Sequence, residues 1–262
     1  MFGFRMMKRI PALLPARRLA RLAAATLFAA VATGVLLRSS GDWASASHEA
    51  VGLAPAAART PEAVVQVYAA RAWGWRGVFG VHTWVAVKPE GAASYTVHEV
   101  IGWRLGWSRS VVVSGERAPD ARWFGSVPEL LADVRGARAT ALVARIEAAA
   151  ASYPYAAQYR AWPGPNSNTF TAWITRAVPE LGADLPPTAI GKDYLGSSVV
   201  GAAPSGSGLQ LSVFGVLGVT ASAIEGLEVN LLGLGLGVDP FPPALRLPLV
   251  GRLGMASLRA AD

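Results

Sequence analysis

The chain has 262 residues, 52% of them apolar and 16% charged, which provides for a sizeable core and excludes a wholly disordered protein. The net charge of +7 does not indicate nucleic-acid binding, because it is concentrated before the first acidic residue, Asp42, in a segment that includes Arg5, Lys8, Arg17, Arg18, Arg21 and Arg38. The rest of the chain is close to neutral and has no basic stripe that phosphates could engage.

The first predicted element is a membrane anchor. Residues 22–37 are uncharged and mostly apolar, and a spanning helix needs about 20 residues with a lower limit near 17, so the flanking arginines would have to snorkel. A signal peptide cleaved near "ASA" at 44–46 is the alternative, and it would leave the protein periplasmic. We predict an uncleaved single-pass anchor over residues 1–39 in a bacterial inner membrane. The upstream basic residues would then lie in the cytoplasm and the bulk of the chain in the periplasm.

A linker and an antiparallel sheet follow the anchor. Residues 40–62 are rich in Ala, Ser and Pro and predict a linker. Alternating, β-branched residues at 64–72 predict a strand. Residues 81–87 and 95–105 predict a β-hairpin, and 109–115 predict a third antiparallel strand.

Two helices are predicted next. Residues 128–136 fit either a strand or a helix. Residues 137–153 predict a helix, because one of its faces carries Leu142, Val143, Ile146 and Ala150. Residues 166–178, after two prolines and a glycine, predict a second one. We therefore assign residues 63–190 to one α+β domain with an antiparallel sheet and flanking helices.

The C-terminal residues 191–262 return to β patterning and predict a glycine-rich β-hairpin extension that packs on the domain. Its two strands are predicted at 209–222 and 227–239. Alternation in "LGLGLG" (232–237) sends three leucines to one face and three glycines to the other. The glycine face would form a flat groove for a helix or an aromatic ring. A GxGxxG dinucleotide fingerprint would need glycine at 238, where valine stands.

Several catalytic and metal-binding signatures are missing from the sequence. The chain has no cysteine, which excludes disulfides, thiolate catalysis and cysteine-ligated zinc. It has three histidines but no HExxH, GxSxG, SxxK or Walker motif. We predict no cofactor and no metal site.

His82 opens an apolar strand, where a histidine needs a partner. A hairpin turn centred on 90–91 would place it opposite Glu99 on the same face. That carboxylate could orient the imidazole and stabilise its protonated form. A one-residue slip would offer His98 instead, and a core histidine bonded to a backbone carbonyl is the structural alternative.

Ser167 begins the predicted helix at 166–178, and two interpretations are open. At a helix N-terminus the free N–H groups favour developing negative charge, as an attacking serine needs. Serine is also a preferred N-cap, and substitution of a cap typically costs about 1 kcal/mol.

The order of these elements resembles the circularly permuted papain-like hydrolases, which include the PPPDE peptidases. In that superfamily a histidine on a hairpin strand precedes an N-C-N-x-F motif at a helix start. Here "HTW" at 82–84 and "NSNTF" at 166–170 occupy those places, with Ser167 where the cysteine should be. The resemblance implies Ser167 as nucleophile and His82 as general base. A serine hydroxyl would have to be deprotonated during attack.

A second resemblance covers nearly the whole exported portion. "PEAVVQVYAARAWGWRGVFGVHTWVAVKP", "SYPY", "WPGPNSNTF" and "LPPTAIGKDYLG" are similar to the bacterial family called domain of unknown function 3750. That resemblance implies a membrane-anchored envelope protein and brings no established activity.

Two functions are therefore expected. The first is a serine-dependent amidase, peptidase or esterase acting on a cell-envelope peptide, glycan or lipid, with Ser167, His82 and Glu99 catalytic and Asn166 or Asn168 in the oxyanion site. The second is a non-catalytic binding module that uses the same cleft. Its aromatic lining would be Trp84, Trp162 and Trp73.

Overall fold

The computed structural model describes residues 16–38 and 42–255. The first element is helix α1 (Ala16–Arg38). Its segment Arg17–Leu37 has a mean hydropathy of 1.8, and this helix is long and apolar enough to cross a membrane. Arg5 and Lys8, which we predicted to flank the anchor, lie outside the described residues. Near its C-terminal end α1 packs against the 3-10 turn Gly74–Val78.

A first antiparallel sheet is built from strands β1 (Val64–Arg71), β2 (Val81–Lys88), β3 (Thr96–Val100), β4 (Val112–Glu116) and β5 (Glu129–Arg135), in the order β4-β3-β2-β1-β5. The predicted strand, hairpin and third antiparallel strand are confirmed. The ambiguous segment 128–136 is a strand, because its pairing with the central strand β1 buries its apolar residues.

Two helices cover one face of the first sheet: α2 (Gly136–Ala151) and α3 (Ser167–Ala177). Both predicted helices are confirmed. Their apolar faces and the side chains of Val65, Val67, Val85 and Val87 form the larger core. The α+β class predicted from the sequence is the class observed.

The opposite face of the first sheet has a smaller core around Tyr68 and Trp84. Part of the predicted linker lies along this side of the domain. The backbone N–H groups of Leu53 and Ala54 donate to Asp120 Oδ2 at 2.6 and 3.2 Å. Residues 42–62 are therefore bonded to the domain over part of their length.

A second antiparallel sheet follows, with strands β6 (Val200–Ala202), β7 (Gly208–Val213), β8 (Leu217–Ser222), β9 (Gly226–Leu231), β10 (Leu234–Pro240), β11 (Pro243–Leu247) and β12 (Gly251–Gly254). Each strand pairs with its neighbour in sequence. The predicted β-hairpin extension is thus a seven-stranded sheet. Each of the two predicted strands is itself a hairpin.

The "LGLGLG" strand is interrupted by a turn. Leu232 and Gly233 have φ values of 55° and 82° and form the two-residue connection between β9 and β10, a geometry that favours glycine. The predicted glycine groove for a helix or an aromatic ring does not form along the strand, because Gly235 lies against the side chains of Glu228 and Pro187. In the described part of the chain an aromatic ring approaches only Gly233, in the turn. A Cβ built on Gly233 would lie 3.2 Å from Trp162 Nε1.

The side chains of the second sheet alternate between its two faces, but the polar ones point inward and the aliphatic ones outward, which is the reverse of the usual arrangement. The inward face is polar and buried, with relative exposures of 0 to 5% for Gln210, Ser212, Thr220, Glu228, Asn230, Asp239 and Arg246. The outward face is aliphatic, with exposures of 42 to 69% for Leu209, Leu211, Val213, Leu217, Val219, Leu227, Val229, Leu231, Leu236, Val238, Leu245 and Leu253.

Buried ion pairs attach the inward face to the first domain. Arg246 Nη1 lies 2.7 Å from Asp184 Oδ1, and its Nε lies 2.7 Å from Glu228 Oε2. Lys192 Nζ lies 2.7 Å from the other Glu228 oxygen. Asp184 and Lys192 belong to the segment before β6, so the two sheets are joined through charges.

Candidate functional site

The start of α3 is held by Asn166, which is its N-cap. Asn166 Oδ1 accepts from the backbone N–H groups of Asn168 and Thr169 at 2.9 and 3.2 Å. The Thr169 hydroxyl accepts from the backbone N–H of Asn166 at 3.1 Å, which completes a reciprocal capping box. Ser167 is the first helical residue, so its interpretation as the cap is wrong.

Asn168 fastens this helix to its surroundings. Its side-chain amide donates to the carbonyl oxygens of Val81 and Ile190 at 3.0 and 2.7 Å, and its Oδ1 accepts from the Thr83 hydroxyl at 3.0 Å. Both asparagine side chains are therefore engaged in holding the site together, whereas the sequence predicted that one of them would face an oxyanion.

A cavity of about 360 Å³ opens at the N-terminus of α3, and we call it the α3 cavity. Its volume falls within the range of ligand-binding pockets, about 300–1,000 Å³. Its walls are mostly apolar and aromatic. They come from the turn at 74–78 and its flanks, the loop before α3, and the β9–β10 connection, and include Trp75, Phe79, Val81, Tyr159, Trp162, Ile190, Leu232 and Leu234.

Two polar side chains face this cavity without an internal partner. Ser167 lines it and is only 5% exposed, and neither its hydroxyl nor its backbone N–H is bonded to any other described residue. The hydroxyl of Tyr159, whose pKa is raised by burial, likewise has no hydrogen bond to the described residues. Arg76 brings the cavity's positive charge. The site thus combines apolar walls with a cluster of hydrogen-bond donors.

His82 lies on the other face of the first sheet. Thr83 faces α3, since its hydroxyl lies 3.3 Å from the carbonyl oxygen of Ser167. The neighbouring His82 points the opposite way and stacks on Trp123 with ring centroids 3.6 Å apart. The structure therefore does not bring Ser167 and His82 together, and the sheet lies between them.

Glu99 is the partner of His82, as predicted. His82 Nε2 lies 2.9 Å from Glu99 Oε2, and Arg117 Nε donates to Glu99 Oε1 at 3.2 Å. The register of β2 against β3 differs from the expected one. Val85 pairs with His98, so Glu99 lies diagonally across from His82 and not directly opposite it. His98 instead bonds the Ser114 hydroxyl at 2.8 Å.

Burial determines the titration of this pair. It lowers the pKa of His82, and the hydrogen bond to Glu99 only partly opposes that effect. Burial alone would raise the pKa of Glu99, but the hydrogen bonds from His82 and Arg117 and the positive charge of Arg117 hold it below its ordinary value. A neutral His82 that donates from Nε2 to an ionised Glu99 satisfies both groups.

This burial makes stability depend on pH. The unfolded chain protonates His82 near pH 6.5, more readily than the folded chain does, so the free energy of unfolding should fall below that pH by up to about 1.4 kcal/mol per pH unit. His98, whose pKa is also lowered by burial, acts in the same direction. Urea denaturation at intervals of about half a pH unit between about pH 7.5 and 5 measures this effect. The free energy of unfolding of His82→Gln should fall less steeply with decreasing pH than that of the wild type. The exposed control His48→Gln should follow the wild type, and an equally steep His82→Gln curve would contradict this assignment.

The three tryptophans predicted for the cleft lie in different places. Trp162 lines the α3 cavity and donates from Nε1 to the Leu232 carbonyl oxygen at 2.8 Å. Trp84 is fully buried on the His82 side, where its Nε1 donates to the Pro119 carbonyl oxygen at 2.7 Å. Trp73 contacts Phe124, with ring centroids 5.7 Å apart. Of the three, Trp162 alone lines this cavity.

Substitutions at the start of α3 should separate the cap from the free hydroxyl. Asn166→Ala is expected to lower the free energy of unfolding by about 1–2 kcal/mol, because the orphan N–H groups lose their acceptor. Ser167→Ala should change it by less than about 0.5 kcal/mol, since it removes no internal hydrogen bond. Urea denaturation of both variants measures the difference, and a larger loss for Ser167→Ala would assign the cap to Ser167 after all.

Sequence reasoning missed several residues of both regions. Arg117 and Trp123 complete the surroundings of His82, and Tyr159, Arg76 and Ile190 complete the α3 cavity. No local motif marks them, because loops bring them in from distant parts of the chain. Asn166 could have been found from its preference for the N-cap position. Among the described residues no cluster of three or more His, Asp or Glu side chains could hold a metal ion.

Comparison with known proteins adds the family. The model of a family described as "Protein of unknown function (DUF3750)" matches residues 62–194, just over half of the chain. The chain belongs to the DUF3750 family. The match covers the first sheet, both helices and most of the walls of the α3 cavity. No curated protein and no solved structure matches this DUF3750 chain, so its resemblance to permuted papain-like hydrolases stays a prediction.

Proposed function

We propose that this DUF3750 protein is a single-pass membrane protein whose exported domain binds an amphipathic ligand in the α3 cavity. The ligand has a carboxylate or similar anionic head and an apolar body. One observation carries the proposal: Ser167, a largely buried residue, stands at the N-terminus of α3 with its unpartnered hydroxyl facing a largely apolar cavity.

The charges and dipoles of the site support an anionic head group. A helix N-terminus favours negative charge because its first N–H groups lack internal partners and its dipole is positive there. Ser167 can donate from both its N–H and its hydroxyl, Tyr159 from its phenol, and Arg76 supplies a positive charge at the rim. Apolar walls of Phe79, Ile190 and Leu234 suit an alkyl body.

The position of His82 favours binding over hydrolysis. A general base must lie within about 2.6–3.2 Å of the hydroxyl that it deprotonates, directly or through one water. His82 is engaged with Glu99 and Trp123 on the far side of the sheet. The described residues that line the cavity include no histidine and no carboxylate.

The scaffold belongs to the same proposal. A permuted papain-like arrangement is supported by the order of the elements, since the hairpin strand with "HTW" precedes the helix that opens with "NSNTF". It is supported also by the direct packing of β2 on the start of α3 through Thr83. Export of the domain to the periplasm is supported by the positive-inside bias of residues before α1.

Octanoate is a suitable test ligand for the full chain in nanodiscs. Fluorotryptophan NMR should show a saturable shift of the Trp162 signal, which Trp162→Phe identifies. Ser167→Ala should weaken binding about tenfold, because a hydrogen bond to a charged group contributes roughly 1.5–3 kcal/mol. The control Ser152→Ala, on an exposed serine after α2, should bind like the wild type.

Three outcomes decide between binding and hydrolysis. An unmoved Trp162 signal, or equal affinity for Ser167→Ala, would overturn the proposed binding site. A fluorophosphonate probe should leave Ser167 unmodified in the wild type. An adduct on Ser167 that disappears in His82→Ala would replace binding by serine hydrolysis.

A further inference from the structure

The outward face of the second sheet is continuous and aliphatic. Cross-strand pairing aligns its side chains in rows that run from strand to strand. One row crosses all seven strands and consists of Ala202, Leu209, Ala221, Leu227, Val238, Leu245 and Leu253. A second crosses five strands and consists of Val200, Leu211, Val219, Val229 and Leu236. Neither row contains a charged or hydrogen-bonding side chain.

This face is large for a protein surface left to water. Strands about 4.8 Å apart with a rise of about 3.4 Å per residue give it an area on the order of 500 Å² in plan. Apolar patches of roughly 300–600 Å² are the largest on typical monomers and are often functional. The polar residues that ordinarily cover an outer face are here on the inner one, so the inversion is systematic.

Exposed apolar side chains also occupy the turns at one end of this sheet. Phe214, Leu232 and Leu249 have φ values of 52°, 55° and 66°, a region that bulky residues adopt at a cost of about 1–3 kcal/mol. Phe214 and Leu232 are 59% and 56% exposed. These turns join β7 to β8, β9 to β10 and β11 to β12, so they lie at the same end. The aliphatic surface therefore continues onto the turns, where glycine or asparagine would be the ordinary choice.

We infer that this outward face and its turns dock on the acyl-chain region of the bilayer that α1 crosses, an inference that rests on the proposed membrane anchoring. The alternation of apolar outward and polar inward residues is the pattern of lipid-facing strands. Interfaces between proteins are enriched in Tyr, Trp, Arg and Met, whereas these rows consist of Leu, Val and Ala.

The contacts of α1 place one end of this surface near the membrane. The C-terminal part of α1 packs against the turn Gly74–Val78, where a Cβ on Gly34 would lie 3.3 Å from Val78 Cγ2. Trp75 of that turn lines the α3 cavity together with Leu232 of the β9–β10 connection. The lipid-facing surface and the mouth of the cavity thus adjoin the end of the same apolar helix.

The lack of cysteine in the chain makes single labels straightforward. Leu27→Cys in α1, Val229→Cys in the centre of the outward face, and Glu147→Cys on the exposed side of α2 would each carry an environment-sensitive fluorophore on the full chain in phosphatidylcholine–phosphatidylglycerol nanodiscs. Quenching by doxyl-labelled lipid reports contact with acyl chains, and quenching by iodide reports contact with water. Retention of the thermal midpoint verifies that each variant folds.

The expected result is that doxyl lipid removes most of the fluorescence at positions 27 and 229, and that iodide removes most of it at position 147. Iodide quenching at 229 with doxyl quenching at 27 would overturn the lipid face and leave the anchor intact. Loss of doxyl quenching at both positions would overturn the anchor itself. Protection of position 229 from both quenchers, with disulfide-linked dimers of Val229→Cys, would assign the face to a second copy and overturn the inference.

Discussion

Arg246→Ala is expected to lower the free energy of unfolding by about 3–5 kcal/mol, because it removes the cation that two buried carboxylates share. Glu228 would keep only Lys192 at 2.7 Å, and Asp184 only Arg252 at 3.6 Å. Arg246 is 0% exposed. It donates twice to Asp184, at 2.7 and 2.8 Å, once to Glu228 at 2.7 Å and once to the Leu185 carbonyl oxygen at 2.8 Å. One substitution therefore removes four hydrogen bonds to three residues at the junction of the two sheets.

Urea denaturation of the full chain in detergent measures this effect. The matched control is Leu245→Ala, the adjacent residue on the opposite face of β11, which is 52% exposed and should change stability by less than about 1 kcal/mol. Equal losses for the two variants would mean that the ion pairs do not hold the second sheet in place. Arg246→Met tests the charge separately from the side-chain volume, and it too should destabilise, since Asp184 and Glu228 stay buried.

Asn168→Ala should cost about 3 kcal/mol, the largest loss expected within the candidate site. The variant removes three hydrogen bonds, those to the Val81 and Ile190 carbonyl oxygens and the one from the Thr83 hydroxyl, and each contributes roughly 0.5–1.5 kcal/mol. The Ile190 oxygen still accepts from Asn166 Nδ2 at 2.9 Å, and the Thr83 hydroxyl still donates to Thr171 at 2.9 Å. These bonds also hold β2 and the loop at Ile190 against α3, and both line the cavity. Octanoate affinity should therefore fall together with stability.

A comparison with Ser167→Ala makes this prediction specific. That neighbour should reduce octanoate affinity while leaving the unfolding midpoint unchanged, whereas Asn168→Ala should reduce both. Asn168→Asp keeps the acceptor for Thr83 but places a carboxylate oxygen against two carbonyl oxygens, so it should destabilise as well. A stable Asn168→Ala variant would show that the Thr83 and Thr171 hydroxyls suffice to hold the helix.

The strands and helices of the first domain could be predicted because their signals are local. Alternation in 64–72 and in the hairpin reflects one buried face, and the apolar stripe of 137–153 reflects packing on the sheet. The His82–Glu99 contact was likewise within reach, since both residues lie on adjacent strands. The register of the two strands could not be predicted, because the connection between β2 and β3 contains several residues and its length does not determine which residues pair.

The site itself depended on information that short motifs do not contain. Successive residues of a strand face opposite sides of the sheet, so a shift of one position decides whether His82 faces α3. In β2 it is Thr83 that faces the helix. The role of Ser167 depended on which residue adopts extended backbone just before the helix, and that residue is Asn166. In the second sheet, glycine-containing turns within the two predicted strands divided each of them into a hairpin.

The sequential order of the second sheet has a consequence for how the protein is made. Pairing only between chain neighbours keeps its contacts local, and such sheets assemble quickly once their residues are available. Its inward charges, however, find their counter-ions on Asp184 and Lys192, which leave the ribosome earlier. Asp184 and Lys192 are therefore synthesised before the strands whose buried charges pair with them. The opposite order would expose Glu228 and Arg246 on a sheet with nowhere to dock.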